Sequence, residues 1–558
     1  MIQNLNQFPT IPALIPKPEF CFQIDKPIIC LDGQWKFLQT PDPDHFAVTP
    51  GTDGYRSIQV PSWNDSLRQP DFCGAYLYKT TVSVTPEMAN SRVVLRMEGV
   101  NGFASIYING IKIATHKNAF LSWNTEITDK IRGCSSFELA VCVDEREETV
   151  SAFGHGGLCH SVFLYLLPPV FFRAVHTTTI FDETFTQATL QIDYSIEPFF
   201  PNHSSEVSKL VLRSCLTDPY GDTVAEGCFE KPIASFDTPT RLTQTCSINK
   251  PYLWDAEHPR LYTLTLELWA GDTKLERICH PFGFRQIQKQ GNQLFINGNE
   301  VKLRGSCRHE TTARNGRCLT PELIEEDVRL FKEANCNYIR TSHYPPSEYF
   351  LTLCDRYGIY VEDEMALAFI ARTLDYTQQD PMQTQRYLSH FADLVSRDYS
   401  HPSVIIWSLC NESFGGVNFD LLNRFAKSTD PTRVTKFSYP MTMREEYEPF
   451  DIWSIHYSNY DTDLAERRDN VSVGGAFGKT MPVIHDEYVH VPCYNRTEHR
   501  RDPYVREFWG QSLARFWTKI WHTKGALGGA IWAGINETDI YDGGSTPMSS
   551  TLLAISIQ

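Results

Sequence analysis

The sequence predicts a multidomain protein in which two β-sandwiches, one of jelly-roll type and one immunoglobulin-like, precede a (β/α)8 TIM barrel. Three observations predict this fold class. The chain has 558 residues, a length that suggests about three domains rather than one core. Alternating apolar and polar residues recur through its first half, as in half-buried strands. After Gly291 strands alternate with helices, which is typical of parallel β/α units.

The first domain is predicted over residues 1–169. The stretches "RVVLRMEG" and "SSFELAVCVD", which begin at Arg92 and Ser135, alternate apolar and polar residues as strands do. Between two further apolar runs lies Asn109-Gly110, a strong signal for a tight β-hairpin. Many short strands separated by turn residues favour a jelly-roll sandwich.

The second domain is predicted over residues 170–288. Pro168-Pro169 interrupts the preceding strand pattern and marks the boundary. Strands then recur, including "QATLQIDYSI", "VSKLVLRSCL" and "RLYTLTLELWA". The segment "EPFFPNHSSE" between the first two of these strands is predicted to be an exposed loop. The number and length of the strands fit one immunoglobulin-like sandwich.

The third domain is predicted over residues 289–558. Thr320–Asn335 is predicted to be a helix that Thr320 caps, with Pro321 at its first position and acidic residues in its first turns. Strand and helix patterns then alternate through the strand "VIIWSL". The remaining length is close to the ~250 residues of a TIM barrel. The chain ends soon after the eighth predicted strand, which suggests a truncated product.

Composition excludes several classes of function. The net charge of −16 disfavours a nucleic-acid partner, because phosphate binding requires a basic surface. The 16 cysteines are scattered without a C-x-x-C pair, which disfavours a zinc site and favours a reducing compartment. No signal peptide is recognisable, and the longest apolar run, 162–172, is too short to cross a bilayer. We expect a soluble, cytoplasmic protein with no membrane partner.

Two glutamates arrive where apolar strands end. Glu412 follows "VIIWSLC", and Glu487 follows "MPVIHD". In a TIM barrel the strand ends form one face that carries the functional groups. Two carboxylates on that face could cleave a glycosidic bond, one as proton donor and the other as nucleophile or as base for water. The pattern alone leaves helix caps and surface ion pairs as alternatives.

A series of motifs along the chain narrows these alternatives. Their order and spacing closely resemble glycoside hydrolase family 2, the family of β-galactosidases and β-glucuronidases, over the whole chain. The motifs are "LDGQWKF", "HSVFLY", "FGFRQI", "LRGSCRHE", "IRTSHYPPSEYFLTLCDRYGIYVEDE", "HPSVIIWSLCNES" and "IHDEYVH". The family fold agrees with the domains predicted above.

The resemblance implies a role for each matching residue. Glu412 matches the acid/base and Glu487 the nucleophile of a retaining glycosidase. We expect the pKa of the acid to be raised by burial and by its partner's charge. Arg340 and Tyr457 match donors that keep the nucleophile ionised, and Asn411 matches the amide that holds the sugar 2-hydroxyl.

Aromatic residues in these motifs are candidate sugar contacts. His309 and His343 match histidines that bind sugar hydroxyls, whereas the alternative for each is a core histidine bonded to a backbone carbonyl. Trp532 could form an apolar floor for the sugar or simply cap the barrel. Glu310, Asp363 and Glu364 are instead expected to form structural ion pairs with Arg304 or Arg308.

The resemblance gives two indications about the sugar. His490, three residues after the nucleophile, matches the β-galactosidase pattern and is a further substrate-binding candidate. No lysine follows Trp532, although glucuronidases carry one there to hold the sugar carboxylate. We therefore expect an exo-acting retaining β-galactosidase. A β-glycosidase acting on a uronic acid and a carbohydrate-binding protein on an inactive barrel are the alternatives.

The chain also departs from the family pattern. The segment "DEMALAFIAR" lacks the Glu and His that bind magnesium in large β-galactosidases, so we predict no metal and no cofactor. The loop "EREETVSAFGHGGLC" lacks an Asp that the family often sends into the site, and His155 could replace it. Family resemblance further suggests a homo-oligomer.

Overall fold

The computed structural model describes residues 28–40, 54–62, 74–146, 150–151, 153, 156–198, 210–233, 239–312, 316–457, 481–489 and 503–534. It confirms the predicted fold class, with two β-sandwiches and a closed eight-stranded parallel barrel. Within these residues, every helix is too short or too polar to cross a membrane.

The first sandwich consists of two antiparallel sheets with strand orders β1-β10-β5-β8 and β3-β2-β4-β9-β6-β7. Its elements are β1 (Ile28–Cys30), β2 (Gly33–Thr40), β3 (Arg56–Val60), β4 (Ala75–Ser83), α1 (Pro86–Ala89), β5 (Arg92–Met97), β6 (Phe103–Ile108), β7 (Ile111–His116), β8 (Trp123–Glu126), α2 (Thr128–Ile131), β9 (Ser136–Asp144) and β10 (Val162–Leu167). The predicted hairpin is confirmed between β6 and β7. Asn109 and Gly110 both have positive φ, 50° and 78°, as a type I′ turn requires.

The second sandwich packs the sheet β11-β12-β15 against the sheet β14-β13-β16-β17. Its strands are β11 (Val170–Phe181), β12 (Gln187–Pro198), β13 (Leu210–Thr217), β14 (Thr223–Ile233), β15 (Thr240–Asn249), β16 (Tyr262–Ala270) and β17 (Thr273–Phe282). Alternate residues of β12 and β16 are buried, because one face of each sheet lines the core. Most of the predicted loop "EPFFPNHSSE" lies outside the described residues.

A small sheet, β18-β19-β20, leads into the barrel, whose strands pair in sequence order from β21 to β28. The strands are β18 (Ile287–Gln290), β19 (Gln293–Ile296), β20 (Asn299–Glu300), β21 (Leu303–Arg308), β22 (Tyr338–Thr341), β23 (Tyr360–Glu364), β24 (Val404–Ser408), β25 (Val434–Phe437), β26 (Ile452–His456), β27 (Val483–Tyr488) and β28 (Ala526–Ile531). The helices are α3 (Pro321–Glu333), α4 (Glu348–Tyr357), α5 (Thr384–Asp398), α6 (Val417–Thr429) and α7 (Pro503–His522). The parallel pairing of β21 with β28 closes the barrel.

Helix α3 begins close to where the sequence predicts it. Ile324, Val328 and Phe331 are buried on one face, as their spacing indicates. Thr320 is the N-cap residue with extended backbone, but its side chain makes no capping hydrogen bond. The predicted N-cap position of Thr320 is thus confirmed, but its side chain interacts with that of Glu322 instead of a backbone N–H.

The barrel separates an apolar layer from a charged interior. A cluster of buried hydrophobic residues that includes Phe350, Phe391 and Trp407 packs between strands and helices. The side chains that face inward near the carboxyl ends of the strands are charged and fully buried, among them Arg340, Glu364 and Lys436. Because buried charges need partners, this interior is where an organised polar site is expected.

Candidate active site

The carboxyl ends of the barrel strands bring most of the predicted site residues together. Arg340 lies in β22 and Glu487 in β27, whereas the others follow a strand. These are His309 after β21, His343 after β22, Asn411 and Glu412 after β24, Tyr457 after β26 and Trp532 after β28. His490 lies outside the described residues. Strand ends open onto the loops at this face, which is where barrels carry their functional groups.

Glu412 and Glu487 converge at the mouth of the barrel. One carboxylate oxygen from each, together with a ring nitrogen of His456, lie within 4.8 Å of one another. Both glutamates are buried, with 8% and 3% of their surface exposed. Two carboxylates this close can act on one anomeric carbon.

Irregular strand pairing explains why neighbouring acidic residues both face inward. The register between β26 and β27 shifts at Ser454/His456, and that between β27 and β28 shifts at His485/Tyr488. A regular strand would send adjacent side chains to opposite faces, but such irregularities re-aim side chains near active sites. The Ser454 hydroxyl thus donates to Asp486 at 2.6 Å, while Glu487 faces the mouth.

Two strong donors hold Glu487. The Arg340 guanidinium donates to one carboxylate oxygen at 2.7 Å, and the Tyr457 hydroxyl donates to the other at 2.5 Å. Burial acts to raise the pKa of Glu487, but the charges of His456 and Arg340 outweigh it and the pKa falls below its usual value. Burial beside the Glu487 charge raises the pKa of Tyr457 far above its usual value, so its hydroxyl remains a donor. Glu487 is therefore prepared as an ionised carboxylate.

Arg340 organises more than Glu487. Its guanidinium also donates to both oxygens of Glu364 at 2.9 Å and to the side-chain oxygen of Asn411 at 2.9 Å. The side chain has no exposed surface, and the planar fork fixes all three acceptors relative to one another. The orientation of Asn411 is set in this way, since its carbonyl oxygen must face Arg340.

Below this layer lies a second set of buried charges. The Lys436 ammonium contacts Asp486 and lies 2.7 Å from Glu362. Burial acts to raise the pKa of Asp486, but Lys436 outweighs it and the pKa falls far below its usual value. Burial raises the pKa of Glu362 despite the same lysine. This layer supports the site from beneath without reaching the mouth.

The structure corrects the ion pairs predicted for Glu364 and Asp363. Glu364 bonds to Arg340 and to His343 at 2.8 Å, not to Arg304 or Arg308. Side chains alternate along β23, so Glu364 faces the interior with Arg340, while Asp363 faces outward. Glu310, as expected, pairs with Arg308 at 3.7 Å.

Asp363 has its own neighbourhood outside the barrel interior. Its fully buried carboxyl group lies near Asp398, and burial followed by that like charge raises its pKa far above the usual value. Asp398 accepts two hydrogen bonds of 2.7 Å from Arg397. The predicted ion pair of Asp363 with Arg304 or Arg308 is therefore wrong, and Asp363 lies instead beside Asp398.

His309, His343 and Trp532 form one aromatic wall. The His343 and Trp532 rings stack at 5.0 Å with an interplanar angle of 5°, and the His309 ring meets Trp532 edge-on at 5.4 Å. A ring nitrogen of His309 lies 3.3 Å from the Tyr344 hydroxyl. The His309 and His343 rings thus bond to the side chains of Tyr344 and Glu364. The alternative for these histidines was a bond to a backbone carbonyl. Burial, followed by neighbouring cationic groups, lowers both pKa values far below the usual one, so both rings are neutral.

A residue of the first sandwich that the sequence did not indicate reaches this wall. The Phe153 ring lies 5.4 Å from His343 and 5.7 Å from His309. Phe153 belongs to the loop that lacks the Asp often found in the family. His155, the predicted replacement for that Asp, lies outside the described residues. The described part of this loop thus presents an apolar ring to the barrel mouth.

Glu412 has two partners that sequence reasoning missed. One oxygen lies 2.9 Å from a ring nitrogen of His456, and the other contacts the Arg372 guanidinium. Glu412 and Tyr457 both have positive φ, 37° and 53°, a strained backbone that clusters at functional sites. The raised pKa that the sequence predicts for Glu412 stays a prediction.

Glu412, His456 and Glu487 offer the ligand types that a divalent cation accepts. However, each carboxylate already contacts an arginine guanidinium, which supplies the compensating positive charge. The described residues at this place therefore fit a metal poorly. The absence of a metal or cofactor from the reaction stays a prediction.

Comparisons with known proteins bear on this geometry. The family model "Glycosyl hydrolases family 2, TIM barrel domain" matches residues 287–503, and "Glycosyl hydrolases family 2" matches residues 170–285. A third, "Glycosyl hydrolase 2 galactose-binding domain-like", matches residues 59–154. The chain belongs to glycosyl hydrolase family 2. The resemblance predicted from the motifs is thereby confirmed.

Members of this family are similar in sequence and in structure. The chain is 28% identical to a beta-galactosidase of Alteromonas mediterranea over 509 residues, which are 82% of this chain and 47% of that relative. A beta-galactosidase of Yersinia enterocolitica is 28% identical over 69% of this chain and 38% of its own length. The chain thus spans about half the length of the curated relatives it matches, or less.

Two solved structures share the fold of this chain. A beta-glucuronidase of Bacteroides uniformis superposes with a TM-score of 0.76 at 22% identity, over 91% of this chain and 65% of that one. A beta-glucuronidase of Ruminococcus gnavus gives a TM-score of 0.75 at 20% identity, over 93% of each chain. At this identity the likeness supports the fold alone.

Proposed function

We propose that this chain is an exo-acting, retaining β-glycoside hydrolase whose substrate is a β-galactoside. The observation that carries the proposal is the asymmetry of two convergent glutamates. Glu487 is fixed as a carboxylate by Arg340 and Tyr457, whereas Glu412 approaches from the other side with a half-exposed partner. Family membership supplies the reaction class.

The proposed reaction has two steps. In the first, a Glu487 oxygen attacks the anomeric carbon, the bond to the leaving oxygen breaks, and protonated Glu412 gives its proton to that oxygen. In the second, ionised Glu412 takes a proton from water, the water oxygen attacks the anomeric carbon, and the ester to Glu487 breaks. Two inversions give net retention and restore both glutamates.

Other side chains take supporting roles in this proposal. The side-chain oxygen of Asn411 accepts from Arg340. Its NH2 group is therefore available to donate a hydrogen bond to the sugar 2-hydroxyl. His309 and His343, both neutral, offer ring nitrogens to further hydroxyls, and Trp532 supplies an apolar face. His490 remains a predicted contact.

The choice of galactose rests on the sequence and on the curated relatives. No lysine follows Trp532 to neutralise a uronic acid, and the relatives named above are beta-galactosidases. The beta-glucuronidase folds keep a uronide as the second candidate. The cytoplasmic location and the homo-oligomer stay predictions. The cysteines within the described residues are free thiols, and a reducing compartment favours free thiols.

Chromogenic substrates test the proposal. The purified chain should hydrolyse p-nitrophenyl β-galactoside faster than the β-glucuronide, and proton NMR should show the β-anomer as the first sugar released. Hydrolysis of the glucuronide alone would reverse the choice of sugar, and an α-anomer as first product would exclude the two-step mechanism. Binding of galactosides without turnover of any glycoside would favour the binding-protein alternative.

A further inference from the structure

Arg372 lies at the mouth of the barrel, in the segment after β23, and its guanidinium contacts Glu412. Its side chain is 42% exposed. The Tyr439 hydroxyl accepts a hydrogen bond from it at 3.1 Å. The guanidinium also lies 5.5 Å from the ring centre of Phe369 and 5.8 Å from that of Tyr439. These contacts hold Arg372 at the rim independently of Glu412.

The position of Arg372 conflicts with the chemistry required of Glu412. His456 holds Oε1 of Glu412 at 2.9 Å, so Oε2 is the oxygen available to protonate a leaving group. Arg372 occupies Oε2. A general acid must carry a proton on the oxygen that faces the leaving group when the bond breaks. Arg372 must therefore leave Oε2 in the first step of the reaction.

A group on the substrate can draw Arg372 away. An exposed guanidinium binds a carboxylate in a bidentate manner, and a carboxylate on the leaving group would replace Glu412 as its partner. Phe414, two residues beyond Glu412, has 40% of its surface exposed. Its backbone N–H donates to the carbonyl of Ile370 at 3.1 Å, which keeps it beside the segment that carries Arg372. The rim thus offers a cation together with aromatic surface.

We propose that Arg372, Tyr439 and Phe414 form a leaving-group subsite for aglycones that carry a carboxylate. The proposal rests on the proposed function, since it assigns the leaving-group side of the same reaction. Binding exchanges the Arg372–Glu412 ion pair for an Arg372–substrate pair and frees Oε2 to hold the transferable proton. Neutral leaving groups make no such exchange and react more slowly.

Matched glycosides test the subsite. Two aryl glycosides of the preferred sugar are compared, one with a carboxylate on the ring and one without, chosen so that the two phenols have equal pKa. The wild-type kcat/KM should be about 10-fold higher for the carboxylate substrate. Arg372→Ala should bring this ratio to about one, and Arg372→Lys should retain part of it. Arg444→Ala removes another exposed arginine, which pairs with Glu446, and should leave the ratio as in the wild type.

A binding measurement separates this inference from the proposed function. Calorimetry with the Glu487→Gln variant should give about 10-fold tighter binding of the intact carboxylate glycoside, and adding Arg372→Ala should abolish the difference. Equal affinities, or a ratio that survives Arg372→Ala and Arg372→Lys alike, would overturn the subsite. Selective binding in a chain without hydrolysis would overturn the proposed function instead.

The source of the carboxylate is decided by a second substrate pair. One is a disaccharide whose reducing-end sugar is a uronic acid, and the other has the matching neutral sugar. An Arg372-dependent preference for the uronic-acid disaccharide assigns the subsite to acidic saccharides. Such a preference confined to the aryl carboxylates assigns it to acidic aromatic aglycones, and its absence from both pairs contradicts the proposal.

Discussion

On each side of the barrel mouth a buried glutamate pairs with an arginine, but the two arginines differ in their exposure to solvent. On the side of the proposed nucleophile, Glu487 is paired with Arg340, which is fully buried and also bonds to Glu364 and Asn411. On the side of the proposed acid/base, Glu412 is paired with Arg372, whose side chain is 42% exposed. A buried guanidinium with several acceptors has one orientation, whereas an exposed one can exchange partners.

This difference follows the chemistry proposed for each carboxylate. A nucleophile must stay ionised until it forms a bond, so a fixed cation beside Glu487 helps throughout the first step. An acid/base must change its protonation state twice per turnover, and a fixed cation beside Glu412 would favour one state only.

Glu487→Gln should have the largest effect. It removes the negative charge and the nucleophilic oxygen while keeping the size of the side chain, and loss of a nucleophile lowers kcat by about 10⁴-fold or more. The measurement is steady-state hydrolysis of the preferred aryl glycoside. Glu446→Gln, at an exposed position away from the paired glutamates, is the control and should match the wild type. Retained turnover in Glu487→Gln would show that the nucleophile is another residue.

Glu412→Ala should depend on the leaving group. Glycosides of poor leaving groups should lose about 10²–10⁴-fold in kcat/KM, because they need a proton to depart. Dinitrophenyl glycosides should lose far less in the same constant, since their leaving groups depart unprotonated. Measuring kcat/KM over a series of phenols gives the dependence directly. A uniform loss across the series would remove Glu412 from the role of general acid.

Arg340→Met and Arg372→Met should separate the two sides by stability. Removing one partner from a buried ionic network costs about 3–5 kcal/mol, so Arg340→Met should strongly lower the free energy of unfolding in urea. The Arg372 side chain is 42% exposed, so water can replace part of what it gives to Glu412, and Arg372→Met should lower the free energy of unfolding much less than Arg340→Met. Comparable losses in the two variants would contradict the contrast between a fixed and an exchangeable guanidinium.

Local patterns in the sequence were enough for much of this organisation. The Asn109-Gly110 hairpin and the inward face of α3 depend on neighbouring residues, and both agree with the structure. Glu412 and Glu487 could be found because they follow apolar strands whose ends share one face of the barrel. The motifs then supplied Arg340, Asn411 and Tyr457, which the structure brings to the same place, while their roles stay proposals.

Long-range contacts were what the sequence could not show. Arg372 lies in a segment without strand or helix periodicity, and its partner Glu412 is brought close only by the fold. Glu364 was assigned to the wrong arginine because the facing of β22 and β23 across the barrel interior decides its partner. His456 could have been predicted as a site residue, because it ends a strand and precedes Tyr457 in "DIWSIHY". A histidine at the end of a strand, however, can equally have a structural role.

Tyr457→Phe should have the smallest effect and refine the nucleophile side. The hydroxyl donates to ionised Glu487, and the pKa of this carboxyl group lies below its usual value. Wild-type activity should therefore persist as pH falls until it passes through this lowered pKa. Without the hydroxyl the pKa rises, and the acid limb of kcat/KM should move about one pH unit higher. Activity at neutral pH should fall by about 10-fold or less, because Arg340 still holds the carboxylate.

The measurement is the pH profile of kcat/KM for Tyr457→Phe. The control is the same profile for Tyr220→Phe, which changes an exposed tyrosine of the second sandwich. An acid limb at the wild-type position would show that Arg340 and the neighbouring histidines alone keep Glu487 ionised.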